Sequence, residues 1–479
     1  MTADKPGLVS APLCVDLDGT LIRTDLLLES TLALLKQNPL YLFVLPFWLL
    51  GGRARLKQRI AQRTNIDIPT LPWDPRVVDL LKTEHRRRAL VLCTASDHAL
   101  ADAVAKHLGC FDRVMASDGA RNLSGRHKAK ALVEAYGERG FDYAGNEARD
   151  LAIWAHARQA WVVNAGDGLA ARVGRVSEVA NVLPREHAEL RTKLKALRLH
   201  QWLKNVLVFV PLLAAHQFLQ PTAVAHAIAA FIIFGVCASS VYVLNDLLDL
   251  GADRAHPRKR KRPFASGRLS LAAGLVVAPL LTIAAFVAAY LLDPHFALML
   301  LGYYVLTLAY SLRLKRIAML DVLVLAGLYT VRIIAGSAAI GTGLSFWLLA
   351  FSMFLFLSLA LVKRYTEVAA QPGNGHEQIK GRGYAASDAG LLATLGGASG
   401  YLSVLVLALY IDSTASAALY RHPQWLWLMC PLLLYWISRV WIIAHRGAMH
   451  DDPVVFAVTD NVSRAVLVLG ALVALLAIR

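Results

Sequence analysis

The chain has 479 residues, 56% of them hydrophobic, and a formal net charge of +16; its mean hydropathy is +0.47. It is too apolar for an ordinary soluble protein yet opens with a polar third, which calls for a soluble domain joined to a membrane domain. The charge does not call for nucleic acid, because the bases cluster at the ends of apolar runs and form no aromatic-interleaved basic domain.

Five cysteines, Cys14, Cys93, Cys110, Cys237 and Cys430, lack metal-ligand spacing and are expected as small core residues in a reducing compartment. The opening MTADKPGLVSAPL has no basic start followed by an apolar core, so no secretory signal is expected and the first domain should remain in the cytoplasm. Residues 11–20, APLCVDLDGT, form an apolar run ending abruptly in acids, the pattern of a buried strand that delivers Asp16 and Asp18 to a sheet edge. Strand-like runs recur at Ala89–Cys93 and Ala160–Asn164 with helical patterns between them. That alternation predicts a doubly wound α/β domain with ligands at the carboxyl ends of its strands. From Leu26 to about Arg88 the pattern is helical and reads as an inserted cap. Its apolar stretch Pro39–Leu50 is too short to span a bilayer, and its surface is available to the membrane or to the second domain.

DLDGT, a strand ending in Thr94, then Lys128, then GNEARD resemble the four motifs of the haloacid dehalogenase (HAD) superfamily of phosphohydrolases over residues 11–165. The resemblance implies Asp16 as the nucleophile that forms an aspartyl-phosphate and Asp18 as general acid and base. It also implies Mg²⁺ on Asp16, the Asp18 backbone and Asp150, with Thr94 and Lys128 holding phosphate. Where many members carry a first acid in the last motif, this chain has Asn146, whose carbonyl oxygen is an acceptable hard ligand at the loss of one charge. Lys130 rivals Lys128, and Asp142 is a weaker candidate acid.

Past about Ala165 the periodicity fades, and residues 184–198 read as a charged helical connection. A first domain at 1–190 and a membrane domain at 191–479 are expected. Nine apolar runs follow, at 203–219, 223–244, 269–292, 294–311, 318–340, 346–363, 388–411, 424–445 and 462–478, and predict an all-α nine-span domain. The loops near 251–268, 312–317, 363–387 and 446–461 carry most of the charge and fall on the side of the first domain, the cytoplasmic side of a bacterial-type inner membrane.

One of those loops carries the chemistry. Asn245–Pro263 reads NDLLDLGADRAHPRKRKRP. Asn245, Asp249 and Asp253 recur at i, i+4, i+8, with Asp246 three before Asp249, so a helix sets all four on one stripe. Such an oxygen-rich stripe suits Mg²⁺ completed by substrate phosphates. Pro257 stops the helix and five bases, Arg258 to Arg262, follow it. Acids able to hold a metal beside bases able to hold phosphate read as a diphosphate site. The blander alternative is a helix end and a positive-inside loop, although three acids and an asparagine on one stripe at a membrane helix end need a partner.

The run resembles the first Asp-rich motif of the UbiA superfamily of intramembrane prenyltransferases. More narrowly it resembles the NDxxDxxxDRxHPxKxxRP pattern of the decaprenyl-phosphate phosphoribosyltransferases within it. LRLHQWLKN (197–205), YSLRLK (310–315) and LVKRYTE (361–367) extend the likeness over most of residues 195–479. The second Asp-rich motif usual in the superfamily is reduced here to Asp321, which fits the phosphoribosyltransferase branch, with Tyr310 and Lys315 standing in for the acids. The resemblance implies Asp246, Asp249 and Asp253, with Asn245, as the Mg²⁺ site, and Lys259 and Arg262 as phosphate ligands. Lys204, Asn205, Tyr310, Lys315, Lys363 and Arg364 are further candidates for substrate binding. Arg332 lies deepest, and Asp321 compensates it only if the fold brings the two together. Arg313, Glu367, Arg439, Arg446, Asp451 and Asp452 stand near the same span ends.

The expected substrates are phosphoribosyl pyrophosphate and a polyprenyl phosphate, in contact with membrane lipid. The first domain would then remove the 5-phosphate, and a donor for cell-surface glycans is the implied product. The alternatives are transfer of a polyprenyl group from its diphosphate to an aromatic or lipid acceptor, and a transporter or scaffold with a regulatory soluble domain.

Overall fold

The structure, a computed structural model, describes residues 11–166, 168–186, 188–370, 383–449 and 452–478. The N-terminal segment on which the absence of a signal was argued lies largely in residues 1–10, outside the described residues, as does Asp451. The chain divides into two compact units. One comprises the residues up to Leu197 together with Tyr242–Ala278, the other Arg198–Val241 with Pro279–Arg479.

The first unit begins β1 (Leu13–Val15), α1 (Leu26–Gln37), α2 (Tyr41–Leu50), α3 (Arg53–Ala61), α4 (Pro75–Glu84) and β2 (Leu90–Asp97). It continues α5 (His98–Leu108), β3 (Arg113–Ser117), α6 (Arg126–Tyr136), β4 (Asp142–Gly145), α7 (Leu151–Trp154), β5 (Gln159–Val163), α8 (Leu169–Val173), β6 (Glu178–Leu183) and α9 (Leu190–Ala196). The six strands form one parallel sheet in the order β3-β2-β1-β4-β5-β6. Its central strands are covered on both faces. Leu13, Val15, Leu90 and Leu92 enter one apolar cluster, while Cys14, Val91 and Cys93 enter the other, as the two-residue period of a strand requires. Strand order reverses between β1 and β4, so the crevice at their carboxyl ends is where ligands of such sheets bind.

Three of these strands were not predicted. β4 is only four residues long and starts on an acid, β3 starts on an exposed Arg113, and β6 alternates exposed with half-buried residues at the sheet edge. The cap is helical, as α1 to α4. Asp25 caps α1 by accepting from Leu28 N, and Asp74 caps α4, where Pro75 at the first position costs nothing.

Beyond α9 come a 3₁₀ helix at Leu199–Phe209, α10 (Val210–Ala214), α11 (Pro221–Leu248), α12 (Leu250–Ala255) and α13 (Leu271–Leu292). They are followed by α14 (Pro294–Leu312), α15 (Leu320–Ala339), α16 (Phe346–Ala369), α17 (Ala389–Ile411), α18 (Thr414–Leu419), α19 (Met429–His445), α20 (Pro453–Thr459) and α21 (Asn461–Ile478). Among the described residues eight helices are long and apolar enough to cross a membrane: α11, α13, α14, α15, α16, Ala386–Ile411, Pro423–His445 and α21. The first expected run is instead the shorter apolar helix Leu199–Ala214. Within the second unit small residues let backbones meet: a β-carbon on Gly336 of α15 would lie 2.1 Å from the carbonyl oxygen of Val208.

Tyr242–Ala278 contributes to the first unit the end of α11, all of α12 and the start of α13. Val243, Leu247, Leu250, Phe264 and Leu271 pack with Leu32 of α1 and Ala196 of α9 in one apolar cluster. α12 stops at Ala255, and His256 before Pro257 turns extended, the conformation a following proline imposes.

Candidate active sites

β1 ends at Val15, and Asp16 continues its ladder by donating its N–H to Ala144 O at 2.9 Å. Asp16 Oδ1 accepts from Lys128 Nζ at 2.8 Å, and the same ammonium reaches Tyr143 Oη at 3.0 Å. Lys128 is buried on α6, whereas Lys130 faces solvent and pairs with Glu134; the choice between them falls on Lys128 by geometry. Burial works against the Lys128 charge, but Asp16, Cys93 and Asp150 outweigh it and hold the ammonium above the usual lysine range. Burial, then the Asp16 charge, pushes Asp150 up to about 6 against Lys128 and two backbone donors, Asn146 N at 3.1 Å and Glu147 N at 3.0 Å.

Asp18 accepts from Leu26 N at 2.8 Å and from Ser96 Oγ at 2.6 Å. Burial, and the charges of Asp25 and Asp16, raise it to about 7 despite those two bonds. A carboxyl held near neutral pH is poised to give and take a proton. Thr94 is buried within β2, which runs on three residues past it to Asp97, and its Oγ1 accepts from Ser96 N at 3.0 Å. Asn146 Oδ1 accepts from Thr20 Oγ1 at 3.3 Å. Gly19, at φ +74°, lets Asn146 approach: a β-carbon there would lie 2.1 Å from Nδ2. Asp142 sits at the opposite, amino end of β4, held by Arg88 and by Arg158 at 2.8 Å, so it is part of the scaffold. Ser96, Tyr143 and Lys57, whose Nζ reaches Ala95 O at 2.6 Å, belong to this site and carry no motif that would announce them.

In the acid run, helical i to i+4 hydrogen bonds continue through the junction of α11 and α12, from Asp249 N to Asn245 O at 2.9 Å and from Asp253 N to Asp249 O at 2.8 Å. Asp246 and Asp253 are buried, and both face Arg262 Nη1, at 3.3 and 2.6 Å. Asp249 pairs with Lys36 of α1 at 2.6 Å. Arg254 is buried and makes a bidentate pair with Glu29 of α1, at 2.7 and 2.6 Å, while donating to Ala265 O at 2.9 Å. Lys259 is exposed in the turn Lys259–Lys261.

Among the described residues no three His, Cys, Asp or Glu side chains converge as a preformed metal cage. A preformed cage is not what Mg²⁺ needs, since it commonly takes one or two carboxylates and fills its octahedron with water and substrate phosphate. The donors present are hard oxygens, and the space between Asp246 and Asp253 already accommodates a cationic group.

The second unit assembles its own polar cluster. Asp452 accepts from Lys204 Nζ at 2.8 Å, Lys363 Nζ at 3.0 Å and Tyr329 Oη at 2.9 Å. Burial pushes this carboxyl up, but Lys363 and Lys204 outweigh it and hold it well below the usual carboxylate range. Arg332 donates to Asn205 Oδ1 at 3.0 Å, to Tyr303 Oη at 3.1 Å and to Leu328 O, and its guanidinium lies 4.8 Å from the Tyr303 ring centroid. Asn205 is fully buried, and its Nδ2 has no partner among the described residues. Asp321 does not compensate Arg332. It accepts from Tyr384 Oη at 2.5 Å and lies 2.6 Å from buried Arg364, close enough for an ion pair but without hydrogen-bond alignment. With Glu367 also on Arg364, that pairing accounts for its charge without a substrate. Tyr310 is partly buried against two apolar clusters at the end of α14, and Lys315 is half-buried in the turn Leu314–Arg316. Asp452 and Tyr329 were not among the substrate-binding residues expected from sequence.

A family model described as the UbiA prenyltransferase family matches residues 206–462. An uncharacterized protein, y4nM, of Sinorhizobium fredii is 38% identical over 467 residues, covering 97% of this chain and 90% of that protein. A protein named decaprenyl-phosphate phosphoribosyltransferase, of Mycobacterium tuberculosis, is 37% identical over 180 residues, covering 36% of this chain and 59% of that one. A solved phosphoserine phosphatase, described as a phospho-aspartyl intermediate analogue, matches 39% of this chain and 98% of its own at 14% identity and a TM-score of 0.27.

Proposed function

The chain belongs to the UbiA prenyltransferase family, and from that premise we propose that it transfers 5-phosphoribose from phosphoribosyl pyrophosphate to a polyprenyl phosphate, its HAD-like unit then removing the 5-phosphate. The family and the eight long apolar helices make it a multi-pass membrane protein. The proposal counts nine crossings by including Leu199–Ala214, and assigns phosphohydrolase chemistry to 1–190 and transfer to 191–479. It sets the first domain and the basic loops on the cytoplasmic face of a bacterial-type inner membrane.

The observation that carries the reading is the run Asn245–Pro263, in which two buried carboxylates meet one cation beside a basic turn. A relative named for phosphoribosyl transfer supports the choice of donor. Mg²⁺ fits Asn245, Asp246, Asp249 and Asp253 in the acid run and Asp16, the Asp18 backbone, Asn146 and Asp150 at the α/β sheet, where it would neutralise charge on a departing diphosphate and on a transferred phosphoryl group.

In the transfer, a phosphate oxygen of the polyprenyl phosphate bonds to C1 of the ribose as the C1–O bond to pyrophosphate breaks, its electron pair leaving with pyrophosphate. Lys259 and Arg262 hold substrate phosphates; Asp246 and Asp253, which Arg262 pairs with here, would hold Mg²⁺ when it is bound. Within the second unit, Lys204, Lys363 and Tyr329 around Asp452, together with Tyr310 and Lys315, offer hydrogen-bond donors for phosphate. The unpartnered Asn205 Nδ2 supplies a buried donor, costly to leave unmet by about 1–3 kcal/mol, for a substrate oxygen.

In the hydrolysis, Asp16 attacks the phosphorus of the 5-phosphate while Asp18 gives its proton to the departing ribose oxygen. Asp18 then takes a proton from the water that cleaves the aspartyl-phosphate, and inorganic phosphate leaves. Thr94 and Lys128 steady the phosphoryl oxygens.

The test is purified protein in detergent with Mg²⁺, radiolabelled phosphoribosyl pyrophosphate and polyprenyl phosphate, beside an Asp249→Ala protein. Label entering lipid only with the intact protein, followed by phosphate release that Asp16→Asn abolishes, is the expected result. Turnover of a polyprenyl diphosphate with no labelled lipid would favour prenyl transfer instead.

A further inference from the structure

Helix α2 reads YLFVLPFWLL and buries none of its residues. Phe43 is 69% exposed, Phe47 72% and Leu50 85%, and Leu40, Leu42 and Leu49 are exposed with them. A helix apolar on every side belongs in a protein core or in lipid, and this one lies in no core. Ten residues rise about 15 Å, roughly half the hydrocarbon thickness of a bilayer, so α2 is long enough to enter one leaflet and too short to cross both.

The charge around it names the medium. From Pro39 to Arg63 the chain carries five bases and no acid. Arg53, Arg55, Arg59 and Arg63 are exposed, on α3 and just beyond its end. The guanidinium groups of Arg63 and Arg59 lie 4.9 and 5.8 Å from the Trp48 ring centroid, so the bases gather at the end of α2 where an aromatic ring marks the boundary between apolar and polar surroundings. An apolar helix followed by a cationic one matches, in order, acyl chains and anionic headgroups. Ala54 and Ile60 of α3 are buried, and Lys57 reaches Ala95 O, next to the Ser96 that donates to Asp18. One short helix thus has arginines outside and the phosphohydrolase site inside.

The geometry points to α2 as a membrane anchor of the cap, inserted into one leaflet of an anionic bilayer and presenting the Asp16 site to phosphate carried on a lipid. The anchoring stands on exposure and charge; its purpose rests on the phosphohydrolase reading.

The full chain, with Cys110→Ser to remove its half-buried thiol, is reconstituted in phosphatidylcholine vesicles with or without phosphatidylglycerol. An environment-sensitive fluorophore is placed at Phe43→Cys or Phe47→Cys. Quenching by spin-labelled acyl chains but not by aqueous iodide is the expected result, stronger with phosphatidylglycerol and weaker in high salt. Quenching by iodide alone overturns the anchor, and so does an efficient disulfide between two copies through Phe47→Cys, which would make α2 a self-association surface.

A second arm reads purpose. Phe43→Asp with Phe47→Asp should raise KM for the 5-phosphoribosyl lipid about tenfold or more, the scale of losing one or two buried aromatic side chains from lipid. Hydrolysis of water-soluble ribose 5-phosphate should be unchanged. Equal losses on both substrates overturn the anchoring role. Retained phosphate release by Asp16→Asn would instead sink the phosphohydrolase reading while leaving the quenching result standing.

Discussion

Replacing Glu29 by Ala leaves the Arg254 guanidinium buried with only Ala265 O and no counter-charge. The two side chains are 4% and 5% exposed, so water cannot repair the loss. Removing one partner of such a pair typically costs about 3–5 kcal/mol, mostly the penalty of the stranded charge. Arg254→Ala strands Glu29 in the same way, although Thr24 Oγ1 at 2.5 Å offers partial relief. Changing both, Glu29→Leu with Arg254→Met, strands nothing and should recover most of the loss. The assay is amide hydrogen exchange on the full chain, followed in peptides from α1 and from 250–266, which reports local opening without requiring two-state unfolding of a membrane protein. At about 1.4 kcal/mol per factor of ten, each single change should lower protection there by roughly two to three and a half orders of magnitude. A double variant as damaged as the sum of the singles would refute the argument, because the pair would then not be the source of the coupling.

Gly19→Ala meets both a positive φ and Asn146 Nδ2, and should destabilise the β1 loop by about 1–3 kcal/mol while lowering phosphate release more than label transfer to lipid; equal effects on both would count against the placement. Burial pushes Asp74 up, but hydrogen bonds from Arg76, Asn164 and Arg23 outweigh it and leave the carboxyl well below its usual range. The stability it contributes is therefore present above the unfolded value, near pH 4, and is lost as pH falls below that. Thermal midpoints of Asp74→Asn should start lower at neutral pH and fall less on acidification than those of the parent. Lys36→Ala removes a half-exposed partner of Asp249, worth at most about 1 kcal/mol to stability. On the proposed metal assignment it should lower the Mg²⁺ concentration for half-maximal lipid labelling about two- to fivefold; an unchanged value would mean that Lys36 and the metal do not compete.

The sequence made β1 and its two acids legible because an apolar run ending in DLDGT has few other physical readings. Lys128 and Lys130 could not be separated until α6 turned one inward. The Asp321–Arg332 question had a geometric answer: eleven residues along a helix are about 16 Å, too far for contact, so each buried charge found partners on other helices. Asp452 collects lysines 248 and 89 residues away, and Glu29 meets an arginine 225 residues away. No local pattern encodes pairings of that span. The short strands β3, β4 and β6 were hidden for a different reason, since an edge strand or a four-residue one carries too little periodicity to rise above a loop.

Motif and packing divide the chain differently, and the difference centres on α1. By motif, Asp16 and Asp253 belong to separate chemistries. By packing, the acid run is part of the first unit, joined to it through Leu32, Lys36 and Glu29, three residues of one twelve-residue helix. That helix starts at Leu26, whose N–H is held by Asp18. A displacement of α1 therefore acts on the hydrogen bonding of the candidate general acid at its first residue, and on Asp249 and the neighbour of Asp253 along its side. Exposed ion pairs alone would give such a link little stiffness. A buried bidentate pair set in an apolar cluster resists displacement, so the two candidate phosphate chemistries share a support built from this one helix.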